Sequence, residues 1–261
     1  MPVLPPEVSG STGSVFSSPI FYLIQQLHFG SLVVPVSSVC MEPTGRPRVK
    51  ICCIASIAEA RLAVRFGASA VGLVSEMPSG PGVIPEDIIK TITDLLPPGV
   101  SSFLLTSRQD AESIIDQQRR LRVSTLQLVD SISFDVYSTL RAALPGISVV
   151  QVVHVSGNKS VDQALAVESF VHALLLDSGN PSLPVKRLGG TGRTHDWNIS
   201  RKIREAVKIP VYLAGGLTPE NVSRAIDEVG PFGVDVCNGV RTDGALDENK
   251  LSLFFDKVNE R

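Results

Sequence analysis

Two reactive side chains stand where short apolar runs end. Cys52 follows Val49-Lys50-Ile51, and Asp177 follows Ala173-Leu174-Leu175-Leu176. Alternate side chains of an extended segment share a face. Lys50 and Cys52 therefore fall on one side, and Val49, Ile51 and Cys53 on the other. A thiolate is a base or a nucleophile, and a cation nearby lowers its pKa. A free cysteine is also a good small core hydrophobe, and position alone leaves both uses open. In the later run, Leu174 and Leu176 face away from Ala173, Leu175 and Asp177. A carboxyl among apolar walls has a raised pKa, which suits a general acid. A helix N-cap is the competing role, weakened because the next helical pattern starts roughly twenty residues later.

Small residues gather in three later segments. The longest connection, 178–197, carries Gly189, Gly190 and Gly192, and a connection of that length in a compact domain is a functional lid or a flexible loop. Ala214-Gly215-Gly216-Leu217-Thr218-Pro219 and Cys237-Asn238-Gly239 each follow an apolar run. Exposed amide N–H groups at such places cradle phosphate. Thr125 and Gln127 share a face opposite Leu126 and Leu128, which fits a ligand hydrogen bond or a satisfied interior amide equally. His154 and His195 could reach the same end and are assigned no role.

The elements that must position these residues follow from hydrophobic periodicity. Strands are expected at 48–54, 69–74, 101–105, 124–128, 147–155, 172–176, 209–214 and 232–237. Helices are expected at 56–66, 86–96, 109–121, 133–143, 160–169, 197–207, 219–229 and 247–258, with Pro and acidic residues opening those at 86 and 219. Eight strand–helix pairs in about 214 residues describe an α/β protein, a single-domain (βα)8 TIM barrel over 48–261. An open doubly wound sheet is the runner-up. In a barrel, chemistry belongs at the C-terminal strand ends, where Cys52, Asp177 and the glycine segments all fall.

Residues 1–47 read differently. No Lys or Arg precedes Arg46, although 24 follow from there on. That excludes the basic start of a targeting peptide, and the apolar run 19–24 is too short to span a membrane. This N-terminal extension is expected to be poorly structured or a misassigned start. A net charge of −2 excludes nucleic acid and anionic membrane as main partners. The four cysteines lack metal-site spacing and two are adjacent, which suits a reducing, cytoplasmic setting.

The segments Val49-Lys50-Ile51-Cys52, Leu175-Leu176-Asp177-Ser178, Gly189 to Trp197 (GGTGRTHDW), Ala214 to Val222 (AGGLTPENV) and Val234 to Val240 (VDVCNGV) resemble phosphoribosylanthranilate isomerases over about residues 48–260. The resemblance implies a (βα)8 enzyme of tryptophan biosynthesis. Such an enzyme performs an Amadori rearrangement of an aminoaldose phosphate to an aminoketose phosphate, with no metal or organic cofactor. It implies Cys52 as the base at the sugar's second carbon and Asp177 as the acid at the ring oxygen. It also implies a phosphate held by Gly215, Gly216, Asn238 and Gly239, with Gly190 and Gly192 nearby, in a monomer or homodimer.

Several positions depart from the family pattern. The family has Gly after the catalytic cysteine, where this chain has Cys53. The loop 76–83 lacks the Arg that pairs with the anthranilate carboxylate, leaving Arg193 or Arg241 as substitutes. A Gln-Leu-His-Gly segment becomes Gln127-Leu128-Val129-Asp130, and Ser-Ser-Gly becomes Cys237-Asn238-Gly239. A charge-assisted bond to a carboxylate is worth about 1.5–3 kcal/mol. The departures therefore keep open two alternatives: a paralogous isomerase for a sugar phosphate without that carboxylate, and a barrel that binds a phosphometabolite without turnover.

Overall fold

The computed structural model describes residues 45–261 except 79, 180–191 and 193. The expected extension therefore lies, up to residue 44, outside the described residues. Eight parallel strands form a closed barrel in sequence order, which settles the choice against an open sheet. They are β1 (Arg48–Ile51), β2 (Ala70–Val74), β3 (Ser101–Thr106), β4 (Thr125–Leu128), β5 (Ser148–His154), β6 (Ala173–Asp177), β7 (Val211–Leu213) and β8 (Gly233–Val236). Helices α1 (Ile57–Arg65), α2 (Glu86–Leu95), α3 (Ala111–Leu121), α4 (Phe134–Ala143), α5 (Lys159–Val167), α6 (Trp197–Ala206), α7 (Val222–Val229) and α8 (Glu248–Asn259) alternate with them.

Helix starts are set by side chains that take up otherwise orphaned N–H groups. Ser56 accepts from Glu59 N at α1, Asp110 from Ser113 N at α3, and Asp247 from Asn249 N and Lys250 N at α8. Helix α7 starts three residues later than the pattern predicts. Asn221 Oδ1 accepts from Thr218 N at 2.8 Å and its Nδ2 donates to Gly216 O at 2.9 Å, so 218–221 form a turn instead of a first helical turn.

The pleat sorts side chains into two cores. Val49, Ile51, Leu126, Leu128, Leu174 and Leu176 pack outward against the helices. Ala70, Phe103, Val150, Val152, Leu175 and Tyr212 fill the barrel interior. Among the described residues no helix is long and apolar enough to cross a membrane.

One buried polar node ties α4 to the sheet. Tyr137, 1% exposed, donates to Gln151 Oε1 at 2.6 Å, while Gln151 Nε2 donates to the carbonyls of Leu128 and Asp130, each at 3.1 Å. Burial pushes the Tyr137 phenol up to about 12, so it remains a donor. Tyr137→Phe would strand Gln151 Oε1, and the expected loss is ~1–3 kcal/mol, read as a lower urea midpoint with an unchanged slope.

Candidate active site

A cavity of about 230 Å³ opens at the C-terminal ends of the strands. Its floor is set one layer down. Lys50 on β1 and Asp235 on β8 are register partners, and Lys50 Nζ lies 2.9 Å from Asp235 Oδ1 with the lysine fully buried. The ammonium also sits 5.5 Å from the centroid of the Phe103 ring. Burial alone would strip the lysine of its charge, but the Asp235 carboxylate and the neighbouring Cys52 more than offset that and hold the ammonium above its ordinary value.

Cys52 stands directly above. A Cβ on Gly72 would lie 2.8 Å from Cys52 Sγ and 2.9 Å from Lys50 Nζ, so the glycine makes room for both. The Cys52 thiol is held below its ordinary value. A hydrogen bond from Cys53 is the largest cause, and the charge and hydrogen bond of Lys50 add to it against burial and Asp235. Cys53, hydrogen-bonded to Cys237 and to Cys52 and buried, is pushed well up and stays a thiol.

That contact corrects the expectation for Cys53. Alternation predicts an outward side chain, yet Cys53 lies in the inner cluster and lines the cavity. Its φ is +59°, a left-handed conformation that breaks the pleat. Cys52 N still donates to Val236 O at 2.8 Å and Ile54 N to Gly72 O at 3.0 Å, so one flipped residue sits between two ladder bonds. Position 53, where the family resemblance implies glycine, thus has the backbone conformation that glycine favours, with a thiol added.

The loop after β2 folds back onto this thiol. Val74 bridges to Val83, and Gly82, at φ +81°, comes so close that an added Cβ would lie 2.5 Å from Cys53 Cβ. Val74, Met77, Gly80, Pro81 and Leu105 make this side of the cavity apolar.

Asp177 lies across the cavity on β6, 8% exposed. Burial raises its pKa, opposed by a 2.7 Å hydrogen bond from Ser178 N to Oδ1 and by the charges of His154 and Lys50. Gln127 also lines the cavity, 3% exposed, and its Oε1 has no hydrogen-bond partner among the described residues.

The glycine segments form the remaining wall. Gly215 and Gly216 have φ of +83° and +64°. A Cβ on Gly215 would crowd His195 Nδ1 at 3.0 Å and Asp177 Oδ1 at 3.2 Å, and one on Gly239 would lie 1.9 Å from Leu217 O. Main chain therefore meets main chain where the loops after β7 and β8 converge. Gly192, Gly215, Gly216, Asn238 and Gly239 all line the cavity, whereas Gly190 and Arg193 lie outside the described residues.

Arg241 does not serve as a substitute cation. Its guanidinium donates to Glu59 Oε1 at 2.8 Å, Cys53 O at 2.6 Å and Gly244 O at 2.8 Å, stapling the end of β1 to α1 and to the hairpin 241–246. His195 does not serve either, since burial lowers its pKa to about 4, and its Nε2 lies 2.7 Å from Ser200 Oγ. Among the described residues that line the cavity there is no Lys or Arg. Sequence reading missed Asp235, although a carboxylate between Val234 and Val236 in an apolar strand was a legible signal. It also missed the roles of Met77 and Pro81, which come from the fold of their loop.

Two outcomes follow. Cys53→Ala removes the main support of the Cys52 thiolate, so the pH midpoint for iodoacetamide alkylation of Cys52, located by peptide mass mapping, should rise. Gly82→Ala should lower stability by ~1–3 kcal/mol in urea unfolding. Part of that loss, roughly 0.5 kcal/mol or more, should vanish in a Cys53→Gly background.

Comparison with known proteins locates this arrangement. Residues 49–257 match the family model described as N-(5'phosphoribosyl)anthranilate (PRA) isomerase. The N-(5'-phosphoribosyl)anthranilate isomerase of Methanocella arvoryzae is 35% identical over 208 residues, covering 80% of this chain and 95% of the relative. The crystal structure of phosphoribosyl anthranilate isomerase from Thermotoga maritima is 31% identical with a TM-score of 0.70, covering 82% of this chain and 100% of that one. A phosphoribosyl anthranilate isomerase in complex with reduced 1-(o-carboxyphenylamino)-1-deoxyribulose 5-phosphate is 30% identical with a TM-score of 0.68, over 82% and 100% of the two chains.

Proposed function

The chain belongs to the N-(5'-phosphoribosyl)anthranilate isomerase family, and from that membership we propose that it turns phosphoribosylanthranilate into its aminoketose phosphate in tryptophan biosynthesis. The observation that carries this reading is a pair of groups facing one cavity with pKa values displaced in opposite senses, the Cys52 thiol downward and the Asp177 carboxyl upward. Environments that separate two titratable groups in this way assign a base and an acid.

In this mechanism the Asp177 carboxyl gives its proton to the furanose ring oxygen. The C1–O bond breaks as the nitrogen lone pair forms a C=N bond. The Cys52 thiolate then takes the proton from C2, and the C–H electrons form a C1=C2 bond while neutralising the nitrogen. The resulting enol becomes the ketose. The phosphate lies against the main chain of Gly215, Gly216, Asn238 and Gly239, with Gly192 beside it, which fixes the sugar between acid and base. Gln127 Oε1 accepts a hydrogen bond from the substrate. The setting is cytoplasmic and reducing, which keeps Cys52 reduced and free of disulfides.

A second reading rests on the apolar wall formed by Val74, Met77, Pro81 and Leu105, where the described cavity offers a carboxylate no cation. It is the same reaction on a phosphoribosylamine whose nitrogen substituent is uncharged.

One experiment addresses both. With the full chain, loss of phosphoribosylanthranilate fluorescence should show turnover that falls at low pH as Cys52 is protonated and at high pH as Asp177 ionises. Cys52→Ser and Asp177→Asn should each lower kcat by about 10²-fold or more. Equal or better kcat/KM on phosphoribosylaniline would favour the second reading. Unchanged turnover in both variants would remove these roles.

A further inference from the structure

Three free thiols, Cys52, Cys53 and Cys237, line the cavity, and the reaction proposed above leaves Cys237 without a task. Strands β1 and β8 are paired in register up to Ile51 and Val236, and Cys52 N still donates to Val236 O at 2.8 Å. Cys52 and Cys237 are therefore neighbours at the ends of adjacent parallel strands, with Cα atoms about 4.8 Å apart. They also share a face. Lys50 and Asp235, two residues earlier on each strand, meet inside the barrel, and alternation brings both cysteines to the same side. Cys52 is buried, and Cys237 is half-buried with its Sγ 3.5 Å from Asn238 Oδ1. Among the described residues no group of three or more His, Cys, Asp and Glu side chains could hold a metal ion, so a soft cation does not account for the thiols.

A disulfide needs Cα atoms about 4.4–6.8 Å apart, a range that Cys52 and Cys237 meet. The adjacent pair Cys52 and Cys53, held at about 3.8 Å by one trans peptide, falls below it. We propose that Cys52 and Cys237 form a reversible modification site, at which a small organic disulfide entering the cavity links the two thiols and stops turnover. The loss of turnover rests on reading Cys52 as the base, whereas the link itself does not. The Cys52 thiolate attacks one sulfur of the small disulfide, forming a mixed disulfide and releasing one thiolate. Cys237 gives its proton to that thiolate and attacks Cys52 Sγ, and the second small thiolate leaves. Two protein thiols are thereby oxidised, and one small disulfide is reduced to two thiols. Cys52 has the depressed pKa that favours the first attack, while Cys53 stays a thiol and is the poorer nucleophile. In a reducing setting the pair is open, and it closes where small disulfides accumulate.

The test treats the full chain with hydroxyethyl disulfide, alkylates the remaining thiols and maps tryptic peptides without reduction. A link between peptides 51–61 and 225–241 is expected, with fragment ions placing the link on Cys52 and the alkyl group on Cys53. Turnover of phosphoribosylanthranilate should fall about 10²-fold or more and return with dithiothreitol. Cys237→Ala, treated in the same way, should instead hold the mixed disulfide on Cys52. No link, or one that joins Cys53 or Cys40, overturns the proposal. A link in the parent that leaves turnover intact overturns it as well. Cys52→Ser, run untreated alongside, keeps the base reading separate. Full turnover in that variant removes the base, whereas inactivity there, with a parent that forms no link, removes this proposal alone.

Discussion

The site is built upon the ion pair between Lys50 and Asp235 in the barrel interior. It joins the first strand to the last, so the residues that close the barrel also place a positive charge beneath Cys52. A buried pair of this kind adds little net stability, because desolvation consumes most of the attraction. Removing one partner alone, however, costs about 3–5 kcal/mol. The pair is therefore difficult to change by single steps, and much around it is arranged to suit it. Gly72 leaves room for the ammonium, and Phe103 offers it a ring face.

Above that floor, opposite ends of the cavity use burial differently. At Asp177 burial dominates and keeps the carboxyl protonated more readily than in water. At Cys52 burial acts in the same sense, but hydrogen bonds from Cys53 and Lys50 overcome it. Burial thus prevails over the donors at the carboxyl, which becomes an acid, whereas the donors prevail over burial at the thiol, which becomes a base. The Arg241 staple holds the geometry by fixing the Cys53 carbonyl to α1, which explains why that arginine is spent on structure.

Much of this was legible in the sequence, for reasons that also show where legibility ends. Period-two alternation correctly separates Leu174 and Leu176 from Leu175, because β6 stays extended throughout. The same rule misplaces Cys53, since one left-handed residue exchanges the faces, and no composition rule announces a cysteine at φ +59°. The small hairpin of Arg241–Thr242 with Ala245–Leu246 was missed although Asp243-Gly244, both at positive φ, is a hairpin-turn dipeptide. His154 was visible as a residue but not as a neighbour of Asp177, because strand register is a property of the closed barrel rather than of either strand.

The close approach of Gly82 to Cys53 carries an implication for how such a site can change over generations. With the Cys53 side chain present, a side chain at position 82 meets its Cβ at 2.5 Å, so a cation placed there by one substitution comes at a cost in stability. Replacing Cys53 by glycine eases that contact in part, and such a variant has given up the hydrogen bond that most favours the thiolate. At position 82, then, room for a cation and support for the base compete, and a gain in one is a loss in the other.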